Sequence, residues 1–228
     1  MWHRNVSDLM TTPAVSARPD TAFKEIAKLL AEHDVTALPV VDRDDRPVGV
    51  VSEADLMRKA AGQRDPADLM PPLYASPADR AKAEAVTAGE LMTSPAVTAR
   101  PEWTVAEAAR TMEQHRVKRL AVVDEVGCLV GVLSRSDLLR VFLRQDRAIR
   151  DELNSEVLGH ALRLSPLAVT VHVVDGRVTL EGTIERRSLI PVLVALCSGV
   201  DGVVDVREHL RYHEDDSSRP APTHRQPA

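Results

Sequence analysis

The sequence predicts an α+β protein: a β-α-β-β-α unit present twice, then a smaller α-β-β-α-β unit. Three observations carry that prediction. An offset of 82 superimposes residues 8–58 on 90–140 without a gap, and 24 of the 51 aligned positions are identical. Within each copy, apolar residues at helical spacing alternate with β-branched runs bounded by turn residues. Further along, Asp175-Gly176 separates two alternating runs, the strongest short-range signal for a hairpin.

Along the chain, Asp8-Leu9-Met10-Thr11-Thr12-Pro13-Ala14-Val15 returns as Glu90-Leu91-Met92-Thr93-Ser94-Pro95-Ala96-Val97. A short extended piece is expected at Ala14–Val15 and again at Ala96–Thr98. Thr21 and Thr104 are expected N-caps, because a hydroxyl there accepts from an unpaired N–H of the first helical turn. The helices they open show apolar spacing through Phe23, Ile26, Ala27 and Leu30, and through Val105, Ala108, Ala109 and Met112. His33 and His115 follow as C-terminal caps that complement the helix dipole. Strands are expected at Ala37–Val41 and Arg119–Val123, turns at 44–46 and 125–127, and second strands at Pro47–Val51 and Cys128–Leu133. Ser52 and Ser134 then open second helices. Met10, Met92 and Met57 read as core or interface fillers. The copies occupy about 2–61 and 84–145, joined by a proline-rich linker at about 62–83.

The third unit, 146–212, opens with helical spacing at Ile149, Leu153 and Val157. The hairpin of Ala168–Val173 and Val178–Leu180 follows, then a helix at Ser188–Ser198, a turn at Gly199–Gly202 and a last strand at Val203–Leu210. Residues 213–228 read as a disordered tail.

Composition narrows the function. A net charge of −5 argues against non-specific binding to nucleic acid or to an anionic membrane. Two Trp, two Tyr and two Phe are too few for a base-stacking platform. Cys128 and Cys197 have no neighbour at metal-ligand spacing and read as small buried apolar residues. Residues 1–18 lack the ~7–15-residue apolar core of a secretory signal. The longest apolar run, Leu189–Cys197, is half of the ~18 residues needed to span a bilayer. A soluble cytoplasmic protein is expected, with no nucleic-acid partner and no membrane contact. The sequence has no Gly-rich phosphate loop of the Walker type, no Gly-x-Ser-x-Gly and no His-Glu-x-x-His, and its eight histidines are scattered. Neither a catalytic set nor a metal site is expected, and the chain does not read as an enzyme.

What remains is a pair of Ser-x-x-Asp motifs, Ser52/Asp55 and Ser134/Asp137, each following a strand. At a helix start a hydroxyl and free N–H groups suit a phosphate or ribose, and a carboxylate one turn on can accept from two sugar hydroxyls. The same spacing is a capping box, worth ~1 kcal/mol with no ligand at all. The copies differ nearby: His115-Arg116-Val117-Lys118-Arg119 and Arg135 stand where copy one has His33-Asp34-Val35-Thr36-Ala37 and Glu53. Such a basic cluster suits phosphates, or else is solvated surface charge. Lys118, Arg119 and Arg135 thus make the copies unequal in charge.

The tandem unit resembles a pair of CBS domains, the Bateman module. The resemblance rests on Leu-Met-Thr-x-Pro-Ala-Val, on Val-Thr-Ala-Leu-Pro-Val-Val-Asp (35–42) and Val-Lys-Arg-Leu-Ala-Val-Val-Asp (117–124), and on Gly-φ-φ-Ser-x-x-Asp-Leu, φ being apolar, at 49–56 and 131–138. Residues 171–182 and 202–206, Val-x-Val-x-Asp-Gly-x-Val-x-Leu-x-Gly and Gly-Val-x-x-Val, resemble a BON domain. The CBS resemblance implies two repeats packed as one module about a pseudo-two-fold axis. It also implies two clefts for an adenosine-containing ligand such as AMP, ADP, ATP or S-adenosylmethionine, a regulatory role, and a homodimer formed through the pair. Of these two clefts, the one receiving Lys118, Arg119 and Arg135 is expected to prefer the more phosphorylated ligand. It places Thr36, Ala37 and Pro39, with backbone after Val15 and Val97, against the base; copy two has Ala121 at the position of Pro39. The BON resemblance implies contact with phospholipid or large partners. Together these lead to a ligand-sensing regulatory protein with no required cofactor, signalling through the BON-like unit or a dimer surface to a protein partner. The alternative is a structural interaction module with no nucleotide ligand.

Overall fold

The computed structural model describes residues 4–61, 77–165 and 167–216. The chain divides after Leu138 into two compact units, each mixed α+β. In the first, copy one runs α1 (Val6–Leu9), α2 (Phe23–Glu32), β1 (Ala37–Val41), β2 (Pro47–Ser52) and α3 (Glu53–Ala61). After α4 (Pro77–Glu84), copy two runs α5 (Ala88–Leu91), β3 (Thr98–Ala99), α6 (Val105–Gln114), β4 (Arg119–Val123), β5 (Leu129–Ser134) and α7 (Arg135–Leu139).

The repeat in sequence is a repeat in register. β1 and β2 are antiparallel with Ala37 opposite Ser52; β4 and β5 are antiparallel with Arg119 opposite Ser134. Both pairs slip at the same place, between Val40 and Val41 and between Val122 and Val123, so each hairpin acquires the same local bend.

The two copies interlock. The N–H groups of Val6 and Ser7 donate to the carbonyls of Trp103 and Pro101 (2.8 and 2.9 Å), while those of Ala88 and Gly89 donate to Thr21 and Pro19 (2.9 and 2.8 Å). Each copy's opening turn is therefore satisfied by the other copy, as exposed first-turn N–H groups require. Thr11 bridges to Val132 on β5, and Thr93 to Val50 on β2. The close approach needs glycine on each strand. A Cβ at Gly49 would lie 2.4 Å from the Met92 Sδ, and one at Gly131 would lie 2.6 Å from the Met10 Sδ. Met10 and Met92 thus fill the interface, as expected, whereas Met57 does not: it is 66% exposed on α3. The core of copy one accordingly mixes its own Ile26, Leu30, Leu38, Val40 and Val51 with Ala85, Ala88 and Leu91 from the start of copy two.

Several local expectations change. Thr104 caps α6, its hydroxyl accepting from the Glu107 N–H (3.2 Å) while the Glu107 carboxylate takes the Thr104 N–H (2.8 Å). Thr21 does not cap α2; Ala22 holds that position. The Thr21 hydroxyl is already used one turn earlier, accepting from the Arg18 N–H at 2.9 Å. The extended piece expected at Ala14–Val15 shrinks to a single bridge between Ala17 and Val40, and its partner in copy two lies at Thr98–Ala99, parallel to β4. Part of the segment expected as linker is helical, as α4; residues 62–76 lie outside the described residues. Cys128 is only partly buried, its thiol donating to the Asp44 carbonyl at 3.3 Å.

In the second unit a 3-10 turn (Arg140–Leu143) and α8 (Asp146–Glu152) lead into a π-helical stretch (Leu153–Ala161). β6 (Val169–Val174), β7 (Arg177–Arg186), α9 (Leu189–Ser198) and β8 (Asp205–Glu214) follow. β6 and β7 form the expected hairpin, and β8 lies parallel to β7 after the α9 crossover. One sheet face buries Val169, Val171, Val178, Leu180 and Ile184 against Ile149, Leu153, Val157, Leu158, Leu193 and Cys197. Pro191 is tolerated because the first turn of α9 needs no donor from it. The last strand outruns its expected end at Leu210 and reaches Glu214. Beyond it Asp215 pairs with Arg187 (2.7 Å), and Asp216 accepts from the N–H and hydroxyl of Ser188 (3.0 and 2.7 Å). The ordered chain therefore continues past the expected start of the tail, and residues 217–228 lie outside the described residues. Among the described residues no helix is long and apolar enough to cross a membrane.

Candidate functional site

β2 and β5 end at Ser52 and Ser134, and the helices that follow place a buried carboxylate one turn further on. Asp55 and Asp137 are 3% and 6% exposed, and no other charged residue among those described is buried. The Asp137 carboxylate accepts from the Ser134 N–H (2.9 Å) and hydroxyl (2.5 Å). Asp55 accepts from the same two groups of Ser52, at 2.9 and 2.7 Å, all on Oδ2. Its Oδ1 takes the Arg58 guanidinium at 2.8 Å and the Lys82 ammonium at 2.6 Å. In copy two the capping box is reciprocal, the Ser134 hydroxyl also accepting from the Asp137 N–H at 3.3 Å, whereas Ser52 and Asp55 form its carboxylate half; in both copies the serine holds the carboxylate in a fixed orientation.

Each carboxylate faces a cleft whose opposite wall comes from the other copy. The Asp137 cleft, of about 260 Å³, is lined by Ser134, Asp137 and Arg119 together with Thr11, Pro13–Val15 and the Asp34–Ala37 segment. The Asp55 cleft, of about 430 Å³, is lined by Ser52, Glu53, Asp55 and Arg58 with Pro95–Val97 and the Arg116–Arg119 segment. Small-molecule sites span ~300–1,000 Å³, which the larger cleft meets. Exchange of Asp34, Thr36 and Ala37 for Arg116, Lys118 and Arg119 makes the two clefts electrostatically unequal. Asp34 and Arg116 both hold left-handed backbone (φ 50° and 53°) at the same step, just after α2 and α6, turning the chain into the cleft wall. Arg119 and Thr36 line both clefts, with the guanidinium donating to the Thr36 hydroxyl. Burial pushes the Arg119 guanidinium below its ordinary value, opposed by the nearby charges of Glu53 and Asp137.

Of the residues singled out in sequence, Ser52, Asp55, Thr36, Lys118 and Arg119 meet in the Asp55 cleft, and Ser134, Asp137, Thr36, Ala37 and Arg119 in the Asp137 cleft. Two line neither. Pro39 is buried within β1, where its carbonyl accepts from the Ala17 N–H at 2.9 Å. Arg135 lies 3.6 Å from Glu113. The grouping of Lys118 with Arg135 therefore fails, because the 116–119 wall crosses to the other copy's acid while Arg135 stays on its own copy. Arg116 belongs to the basic cluster read from the sequence, whereas Arg58, Thr93 and Lys82 were not picked out there. Arg58 has a readable signal, three residues after Asp55 on one helix face. Lys82 has none, since its segment shows little apolar periodicity. Among the described residues no group of three His, Cys, Asp or Glu is placed to hold a metal ion.

Interlocked repeats with a carboxylate-faced cleft on each side define the class, and comparison with known proteins gives the family. The CBS domain model matches residues 6–62 and 88–144, and the BON domain model matches 145–214. The chain belongs to the CBS family and carries a BON domain after its CBS pair. It is 31% identical over 141 residues to CBSX2 of Arabidopsis thaliana, a chloroplastic CBS domain-containing protein, covering 57% of this chain and 59% of that one. The crystal structure of CBSX2 in complex with AMP superposes with a TM-score of 0.52 at 30% identity, over 61% of this chain and 97% of that one. The CBS pair of MJ0100, solved with 5′-methylthioadenosine and S-adenosyl-L-methionine, gives 0.50 at 25% identity over 61% and 96%. The chain spans 62% of a curated relative from Methanopyrus kandleri and 25% of a homoserine O-acetyltransferase from Methanococcoides burtonii, so what it shares with them is a part of each.

Proposed function

We propose that the chain is a regulatory sensor whose CBS pair binds an adenine nucleotide (AMP, ADP or ATP) in its two clefts. The observation that carries this reading is the Asp55 cleft. A fixed carboxylate on one wall faces three basic residues, Arg116, Lys118 and Arg119, on the other. A carboxylate suits a sugar diol and guanidinium or ammonium groups suit phosphate, so the cleft offers both at once. The AMP and S-adenosylmethionine complexes of its relatives agree with that chemistry. In this reading the Asp55 cleft takes the more phosphorylated ligand, no cofactor or catalytic step is involved, and occupancy is passed on through the BON domain or a homodimer surface to a protein partner.

A thermal-shift series with AMP, ADP, ATP and S-adenosylmethionine tests the proposal, because a ligand that binds only the folded state raises the apparent melting temperature. Stabilisation that is lost in Asp55→Ala and Asp137→Ala supports it. The capping box at Ser134/Asp137 and its half at Ser52/Asp55 favour a second reading, an interaction module in which the two pairs only start helices. No shift with any of the four ligands at millimolar concentration selects that reading.

A further inference from the structure

Asp55 has no acceptor capacity to spare. A carboxylate offers about four lone-pair sites, and four donors already reach this one: the Ser52 N–H, the Ser52 hydroxyl, Arg58 and Lys82. A ligand that donates sugar hydroxyls to Asp55 must first displace one of them. Ser52 is tied to Asp55 through its own backbone, and Arg58 sits three residues away on the same helix. Lys82 differs from both. It comes from α4, outside either repeat, and carries a single ammonium that also donates to the Thr93 hydroxyl at 2.9 Å.

The helix that presents Lys82 is pinned independently of it. The Lys59 ammonium of α3 donates to the carbonyls of Ala83, Glu84 and Ala85 (3.4, 3.4 and 2.7 Å), the unsatisfied acceptors at the C-terminal end of α4. Lys59 also lies 5.4 Å from the centroid of the Phe23 ring, which fixes it over α2. α4 therefore stays in place when Lys82 lets go, and the change needed is a rotation of one flexible side chain toward Thr93.

Resting on the sensor reading above, we infer that Lys82 sets the ligand affinity of the Asp55 cleft. It occupies the carboxylate that a ribose needs and so sets that cleft's affinity lower than its basic wall alone would give. The residue is a competitor for the ligand's position, and its removal strengthens binding.

Calorimetry on the full chain with AMP as the probe tests this. Asp137→Ala isolates the Asp55 cleft, and Lys82→Met is then added in that background. The expected result is AMP binding tighter by about tenfold, the scale of one hydrogen bond to a charged group. Arg80→Ala, on the same helix but paired to Glu84 (3.1 Å), leaves affinity unchanged. Affinity that is unchanged or weaker in Lys82→Met, with near-ultraviolet circular dichroism intact, overturns the inference while the sensor reading stands. Absence of AMP binding in the wild type and in every variant overturns both.

Discussion

The Arg119 guanidinium donates to the Thr36 hydroxyl, and these two side chains form the partition between the clefts. One comes from the start of β4 and the other lies immediately before β1, so a residue of each copy meets at the pseudo-symmetric centre.

On the sensor reading proposed above, Arg119→Ala should weaken AMP binding in both clefts, by about tenfold where the contact is made to a charged group. On the same reading Lys118→Ala should weaken only the Asp55 cleft, the one it lines. Calorimetry in the Asp55→Ala and Asp137→Ala backgrounds separates the two effects.

Acid stability depends on two capping carboxylates. The N–H groups of Val86 and Thr87 hold Glu90 below its ordinary value of 4.5, and the Thr104 N–H does the same for Glu107. A carboxylate depressed in the folded state contributes stability above its unfolded pKa and loses it as pH falls through the folded one. Denaturation midpoints should drop below pH 4.5, and Glu90→Gln or Glu107→Gln should flatten that drop.

Thr104→Ala removes a capping hydroxyl and should cost ~1 kcal/mol in urea unfolding. Thr21→Ala leaves the first turn of α2 uncompromised, because Thr21 caps nothing there; any loss comes from the Arg18–Thr21 turn.

Gly182 has φ +144°, and a Cβ there would lie 2.1 Å from the Ala168 carbonyl oxygen. The three nearest atoms are all backbone atoms of Ala168 and Val169, so no flexible side chain can yield. Gly182→Ala should destabilise the BON unit by at least ~2 kcal/mol, read by thermal melting.

The two thiols should differ in reactivity. Burial pushes the Cys197 thiol up to about 12, whereas Cys128 is partly exposed. Only the thiolate is nucleophilic. A chromogenic disulfide at mildly alkaline pH should therefore modify Cys128 in the native chain and Cys197 only after unfolding.

The sequence was most legible where physics is local and periodic. The repeat offset placed β1, β2, β4 and β5 and both Ser/Asp pairs, because identical residues in register make identical hairpins. The Asp175-Gly176 turn located the BON hairpin because both residues accept the positive φ (51° and 71°) that a tight two-residue turn needs. What could not be read was long-range. Nothing in the spacing says that the 116–119 wall faces the other copy's Asp55, which is why Arg135 was grouped with it. Nor does the spacing reveal Lys82, whose partner lies 27 residues away. The N-cap at Thr21 was misread because its hydroxyl had a competing local acceptor role, which type and position alone do not disclose.

The exchange of opening turns has a further consequence. Val6 and Ser7 hydrogen-bond to copy two, and Ala88 and Gly89 to copy one, while Leu91 completes a core that is otherwise built from residues of the first repeat. A solitary repeat would expose a sheet edge and a greasy notch with nothing of its own to close them. The simplest molecule able to satisfy both is a second identical chain, arm for arm. In this architecture a covalent duplicate replaces that partner. The tether then fixes stoichiometry within one polypeptide and lets the twin sites diverge in charge, something a symmetric pair of separate chains encoded by one gene can never do.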